Sequence, residues 1–341
     1  VTTSGLQTYT GAVTLGGATT LTSGTSAGNV LFGSTVDGNY SLSTTTTGDT
    51  TFTGAVGGGT ALSGLTINTG TLTGHAITLA TSGALSITES GSGSIDGVIA
   101  GSGATLTKGG AGTLTLSGAN TYGGSTTVNA GTLALSGSGT LGNTLSLLTI
   151  NNATLDLQRS LTVGSLLMTG TSPVITNSTG TSSLVVNTTS TLKGTVTTSG
   201  LQTYTGAVTL GGATTLTGSG ITFVSTIKST GGSNYSLGIT DGGVTTLGGA
   251  IGSATLADKV STLTLSSTGG ISLNAGSVYS TGSQSYTGAL TLGANTTLTG
   301  VGVVFHSAVD GAKSLTVNDS GTTEFLDQVG YTTALTSVTT D

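Results

Sequence analysis

The chain has 341 residues with 61 Gly, one Pro, no Cys and no Trp, and Thr makes up about a quarter of it. Gly costs roughly 1 kcal/mol per helical position against Ala and Thr loses rotamer freedom there, which excludes long helices; 34% hydrophobic and 4% aromatic residues exclude a thick globular core. A net charge of -6, from 12 acids and 6 bases scattered singly, leaves no basic patch for nucleic acid, and the lack of Cys removes disulfide and thiolate-metal chemistry.

A mean hydropathy of +0.32 with 5% charged residues is unlike a disordered chain. No apolar run reaches the ~18 to 20 residues of a membrane helix. Val1 does not open a Met-led signal sequence, so any export signal or anchor is expected outside these residues.

From the first residue the chain is repetitive. Residues 1–22, VTTSGLQTYTGAVTLGGATTLT, recur identically at 196–217, and a diverged copy, VYSTGSQSYTGALTLGANTTLT, occupies 278–299. Similarity continues downstream: 30–42 match 303–315 at an offset of 273, which also pairs Phe52 with Phe325, Val56 with Val329 and Leu62 with Leu335. The unit is about 82 residues long. Copy one is assigned to 1–69, copy two to 196–277 and a truncated copy three to 278–341, with a different insert at 70–195, all in one continuous solenoid.

Inside the insert runs a shorter ladder: GTLTL at 112–116, GTLAL at 131–135 and ATLDL at 153–157, spaced by 19 and 22 residues. Leucines alternate with Thr, Ala or Asp, the period-2 pattern of a strand with Leu inward and the others outward. Short strands recurring every ~20 residues stack best in parallel, each coil advancing about 4.8 Å. The expected fold is all-β, a parallel β-helix of about 15 coils forming an elongated rod. Leu114, Leu133 and Leu155 are predicted to form one internal column, and Leu116, Leu135 and Leu157 its neighbour. Corners are expected at Asn129-Ala-Gly131, Asp37-Gly38, Asp310-Gly311 and Asn274-Ala-Gly276, where Gly or Asn tolerates positive φ.

The stretch KGGAGTLTLSGANTYGGSTTVNAGTLAL, from Lys108 to Leu135, closely resembles the passenger-associated repeat of bacterial autotransporters. The resemblance implies a right-handed parallel β-helix. The 82-residue unit, with its QTYTGAVTLG and F-x-S-x-V-D-G elements, is similar to repeats of giant filamentous-haemagglutinin-type bacterial surface proteins. Together these imply a secreted or surface-exposed fibre and no catalytic residue. No transporter barrel or adhesive tip domain is recognisable.

Several motifs suggest chemistry and are outweighed. GTSAG at 24–28 fits a nucleophile elbow around Ser26, which needs a following helix and a nearby His. GSGTLG at 137–142 fits a dinucleotide loop but has no helix after it. Such matches arise by chance at this Gly and Ser content. His75 and His306 are 231 residues apart, too far along a rod to share a metal, and are read as outward. Asp37 and Asp310 share a repeat position and are read as corner residues rather than calcium ligands. Tyr9, Tyr204 and Tyr286 recur in register; a sugar-stacking row is weighed against corner packing with a wet hydroxyl, and the latter is preferred. N-x-S/T sequons, at Asn39, Asn152, Asn177, Asn187, Asn234 and Asn295 among others, match random expectation. No catalytic, cofactor-binding or metal residue is assigned, and no cofactor.

The expected function is a non-enzymatic structural or adhesive segment of a secreted bacterial surface filament or giant repeat adhesin. One alternative is an ice- or carbohydrate-binding solenoid, motivated by T-x-T at 20–22, 71–73, 105–107, 113–115 and 297–299, although those spacings are expected to scatter the pairs over different faces. Another is a phage tailspike-like β-helix, for which Glu89, Glu324 and Arg159 are too sparse and too separated to supply the carboxylates. Expected partners are neighbouring solenoid segments, end to end, and cell-surface glycans or other cells; nucleic acid is not expected. Val1 aligns with Val278 and Asp341 with Asn68, both inside a repeat, so the chain is expected to be a section of a longer fibre or to stack on a partner.

Overall fold

The computed structural model describes residues 1–24 and 28–341. Its regular elements are short strands, and among the described residues the one helical element is a 3₁₀ turn at Leu256–Asp258. Paired strands run parallel. A parallel neighbour demands a crossover, and here the crossover is the rest of a coil. The chain divides into two compact units, Val1–Val163 and Gly164–Asp341. Each is a parallel β-solenoid whose coils contribute strands to three stacked faces.

In the first unit, one face carries the inward column Leu21, Thr44, Ile67, Ile87, Lys108, Val128 and Ile150, all buried. A second face carries the ladder read from the sequence. Leu114, Leu133 and Leu155 are in register, as are Leu116, Leu135 and Leu157, and all six are fully buried. The third face is a narrow column of Val13, Val36, Val56, Ile77 and Ile99. Each fully buried Leu contributes roughly 1.5–3 kcal/mol of transfer free energy, so a core one column thick per face still accumulates stability coil by coil.

One detail of the ladder differs from expectation. The row opposite the leucines, Thr115, Ala134 and Asp156, was read as solvated, yet Ala134 and Asp156 are buried, the latter 8% exposed. Gln158, two residues along and therefore on the same face, donates from Nε2 to Asp156 Oδ2 at 3.0 Å and covers it. Ala134 is short enough to be shaded by its taller neighbours in the row.

The corners follow the sequence at three of four places. Gly38, Gly131 and Gly311 have φ of +127°, +65° and +122°. At Gly131 the restriction is double, because an added Cβ would sit 2.3 Å from the Gly112 carbonyl oxygen of the preceding coil. Gly276 does not adopt positive φ, so the Asn274-Ala-Gly276 corner turns by ordinary backbone angles.

In the second unit the three faces are equally clear. The first holds Val196, Leu216, Ile239, Leu265, Tyr286, Phe305 and Phe325. The second holds Val186, Tyr204, Phe223, Leu247, Leu273 and Leu292. The third holds Val208, Ile227, Ile251, Val278, Leu298 and Val317. The like-on-like stacking of the short ladder does not extend to the 82-residue repeat. Tyr204 lies under Phe223, and its counterpart Tyr286 is on another face.

Candidate functional site

Two sets of recurring polar side chains, Gln-x-Tyr and D-x-G-x-T, are turned into the coils. At each repeat start a Gln-x-Tyr pair forms the same fitting. Gln202 donates from Nε2 to Thr198 Oγ1 (3.2 Å) and to the Thr217 carbonyl of the next coil (2.8 Å), and accepts from Tyr204 Oη at 3.0 Å. Gln284 repeats this with Ser280, Thr299 and Tyr286, at 3.0, 3.0 and 2.7 Å. Gln7 repeats it with Thr3, Thr22 and Tyr9. Each Tyr ring stacks on the Phe one coil on, with centroids 5.1 Å apart for Tyr9–Phe32, 5.0 Å for Tyr204–Phe223 and 5.2 Å for Tyr286–Phe305.

This geometry corrects both readings of the tyrosines. Tyr204 and Tyr286 are fully buried, so they form no sugar-stacking row, and their hydroxyls are bonded to glutamine rather than wet. Burial pushes both phenols well above the usual tyrosine value, and raises Tyr9 as well. A phenol entering a low-dielectric interior needs an acceptor, and the Gln two residues back is on the same face to provide one. The recurrence of Gln7, Gln202 and Gln284 at one repeat position was the signal available in the sequence.

A second fitting is an Asp clasp with the pattern D-x-G-x-T. Asp241 Oδ1 accepts from Gly220 N (2.6 Å) and Gly243 N (2.8 Å), while Oδ2 accepts from Ile221 N (2.8 Å) and Thr245 Oγ1 (2.9 Å). Asp319 does the same with Gly302, Gly321, Val303 and Thr323. At Asp319 burial alone would raise the carboxyl pKa, but these donors outweigh it and hold the group below the usual range.

The stretch 106–135 has fittings of its own. Lys108, fully buried in an apolar column, donates from Nζ to the carbonyls of Gly109, Gly110 and Gly112 at 2.8, 3.2 and 2.9 Å. Asn120 bridges two coils, accepting from Ile99 N and donating to the Thr140 carbonyl, both at 2.8 Å. Tyr122 is buried and shares a 2.6 Å hydrogen bond with Thr126 Oγ1. Glu89, 1% exposed, has its pKa raised to about 7 by burial, with the charge of Lys108 and the Leu72 backbone pulling the other way. Burial lowers Lys108, and Glu89 partly restores it.

The remaining candidates are dispersed. Ser26 lies outside the described residues. The 137–142 glycine motif is followed by a strand at Leu147–Asn151, with no helix end to receive a pyrophosphate. Asp37 Oδ1 accepts from Gly59 N and Thr60 N of the next coil, and Asp310 Oδ1 from Thr332 N and Thr333 N, so both are corner residues. His75 pairs with Asp96 at the surface and exposed His306 contacts Ser285. They belong to different units. Among the described residues no three His, Asp or Glu side chains gather as a metal site, and no helix is long and apolar enough to cross a membrane.

The T-x-T pairs fall more regularly than their spacing suggested. Those at 20–22 and 105–107 share one face of the first unit, and those at 71–73 and 113–115 share another. Between the first two, Ser and Thr fill the intervening coils, giving an outward row of Thr20, Ser43, Thr66, Ser86, Thr107, Thr127 and Thr149 over seven successive coils. Coils of unequal length keep register because their corners absorb the difference.

These features define a repetitive parallel β-solenoid whose recurring buried polar groups bond within and between coils. Residues 106–135 match the family described as passenger-associated-transport-repeat, the stretch that contains Lys108, Asn120, Tyr122 and the first two rungs of the leucine ladder. No curated protein and no solved structure matches the chain.

Proposed function

We propose that the chain is a non-enzymatic structural and adhesive segment of an autotransporter-like passenger, exported and displayed on a bacterial surface as part of a filament or giant repeat adhesin. The observation that carries this reading is the use made of polar side chains in the matched repeat. Lys108, Asn120 and Tyr122 all bond inward or between coils, holding a stack rather than facing a substrate. Such a segment extends reach and offers a long lateral surface, which suits contact with neighbouring segments, other cells or surface glycans and a role in biofilms.

Protease treatment of intact producing cells, followed by detection with an antibody to this segment, tests the placement. Loss of the signal without lysis is the expected result; full protection overturns surface display. Turnover of any polysaccharide or ester by the purified chain overturns the non-enzymatic assignment. The seven-coil hydroxyl row supports a second reading, binding to ice, which thermal hysteresis of the purified chain decides.

A further inference from the structure

Bases that are scattered in the sequence gather on one side of the second unit. Of the chain's lysines, Lys108 is buried, and the single arginine, Arg159, is in the first unit. Lys193, Lys228, Lys259 and Lys313 are each at least partly exposed, and all are on the third face of the second unit or at a corner bordering it. Lys228 is outward between Ile227 and Ser229, in register with Thr209. Lys193 follows Ser190–Leu192, which pairs with Val208–Leu210 of the same face, and its stem lies across Gly212. Lys313 is at the corner that leads into the strand Ser314–Asp319. From Lys193 to Lys313 is six coil steps, about 29 Å.

Lys259 reaches this face by a detour. Ile251 bridges to Val278 and Val260 to Ser280, so residues 252–259 leave the coil and return where Tyr279 alone suffices in the next one. The excursion contains the 3₁₀ turn and is tied down by Asn234, whose Nδ2 donates to the Leu256 and Lys259 carbonyls, both at 2.7 Å. It returns Lys259 over the Tyr279 ring, 6.0 Å from the centroid. Asp258 accepts from Ser253 Oγ at 2.9 Å and contacts Lys228 at 3.9 Å, a part-exposed pair worth little. Among the unit's other acids, Asp241 and Asp319 are buried in clasps, Glu324 is on the first face, Asp310 on the second and Asp327 between those two. Asp341 is on the third face one coil past Lys313. The third face is therefore cationic on a chain of net charge -6.

Ammonium groups one to three coils apart, roughly 5–14 Å, suit a polymer with one carboxylate per sugar and are too sparse for duplex DNA, which carries a charge per ~1.7 Å. The face also has no arginine, the residue that grips phosphate bidentately. Between the lysines the outward row is Thr191, Thr209, Tyr279, Thr299 and Asn318, whose uncharged donors and acceptors match sugar hydroxyls.

We infer that the third face of the second unit binds acidic polysaccharide, its lysines pairing with uronate carboxylates and the row between them with ring hydroxyls. The inference deepens the adhesive reading and rests on it for its setting, while the binding itself is testable on the purified chain.

Affinity electrophoresis of the full chain through gels containing polygalacturonate, dextran or single-stranded DNA reads it. Retardation by polygalacturonate and not by dextran is expected, weakening at least about tenfold between roughly 20 and 200 mM salt. Lys228→Gln with Lys259→Gln should weaken it at least about fivefold with thermal unfolding unchanged, and the independent pair Lys193→Gln with Lys313→Gln should weaken it too. Thr203→Glu with Thr246→Glu makes the same change in net charge on the second face. At ~100 mM salt, where charges more than about 10 Å apart are screened, that pair should leave retardation within about twofold. Absence of retardation by polygalacturonate, equal losses on the two faces, or tighter binding to DNA or to co-sedimenting phosphatidylglycerol vesicles overturns the inference. Failure of the protease test with binding intact removes only the surface setting; failure of binding with display intact removes only this face as a contact.

Discussion

The leucine ladder of residues 112–157 and the two repeat copies of 196–341 use repetition in opposite ways. In the ladder one repeat is one coil, so Leu133 sits on Leu114 and under Leu155, and like meets like. In the long repeat the period is not a whole number of turns, so Tyr204 stacks on Phe223 while Tyr286 stacks on Phe305, on another face. The ladder needs only apolar residues of similar size. The long repeat must carry a self-contained polar fitting with each copy, because the face on which a copy lands supplies different neighbours. Gln-x-Tyr is such a fitting, since its key bonds are to its own strand and to a carbonyl 15 residues on.

That contrast is open to attack by substitution. The largest effect is expected from Leu133→Asp, which places an unpaired charge between two leucines; a loss on the order of 4 kcal/mol or more, with new protease cleavage in the neighbouring coils, is expected. Unchanged protease resistance would refute the inward column. Lys108→Met should cost about 3 kcal/mol by thermal or denaturant unfolding, because the Gly109, Gly110 and Gly112 carbonyls lose the ammonium, Gly112 keeping the Thr132 N–H, and Glu89 loses its compensating charge. Gln202→Leu should cost about 2 kcal/mol, leaving buried Tyr204 Oη without its acceptor and the Thr217 carbonyl with only the Thr198 N–H, whereas the same change at Gln7, in a less buried fitting, should cost less. Equal losses at both would show that burial does not set the strength of the fitting.

The smallest effects separate the units by pH. Asp319 has a depressed pKa in the folded chain, so its stabilisation is present above the ordinary carboxylate value and is lost as pH falls through the depressed one; Asp319→Asn should flatten the acid limb of the second unit's unfolding. Glu89 is raised to about 7, so the folded first unit binds the proton more tightly than the unfolded chain, and its stability should increase as pH is lowered from about 7 toward the ordinary carboxylate value. Glu89→Gln should abolish that increase. Hydrogen exchange resolved by residue across pH 4 to 8 reads both units in one experiment.

Much of the architecture was legible because its causes are local. Alternating Leu and Thr at 113–116, 132–135 and 154–157 dictates strands with one buried face, and glycine at 38, 131 and 311 marks the corners. The polar fittings were less legible. Lys108 looked like one more scattered base, yet it is a core residue whose acceptors are the glycine carbonyls just after it. Asp241 and Asp319 share D-x-G-x-T, but half of their donors come from the preceding coil, about 20 residues away in sequence. Their role depends on register.

Sequence by itself determined that the chain is β, repetitive, thin-cored and built of short parallel strands, because side-chain alternation, Gly and Thr content and repeat spacing act within a few residues. Tertiary structure alone decided which face each strand joins. That assignment depends on the summed lengths of corners between successive strands, so the sequence at 196 and its diverged copy at 278 fall on different faces, and an outward hydroxyl row over seven coils assembles from residues with no fixed spacing.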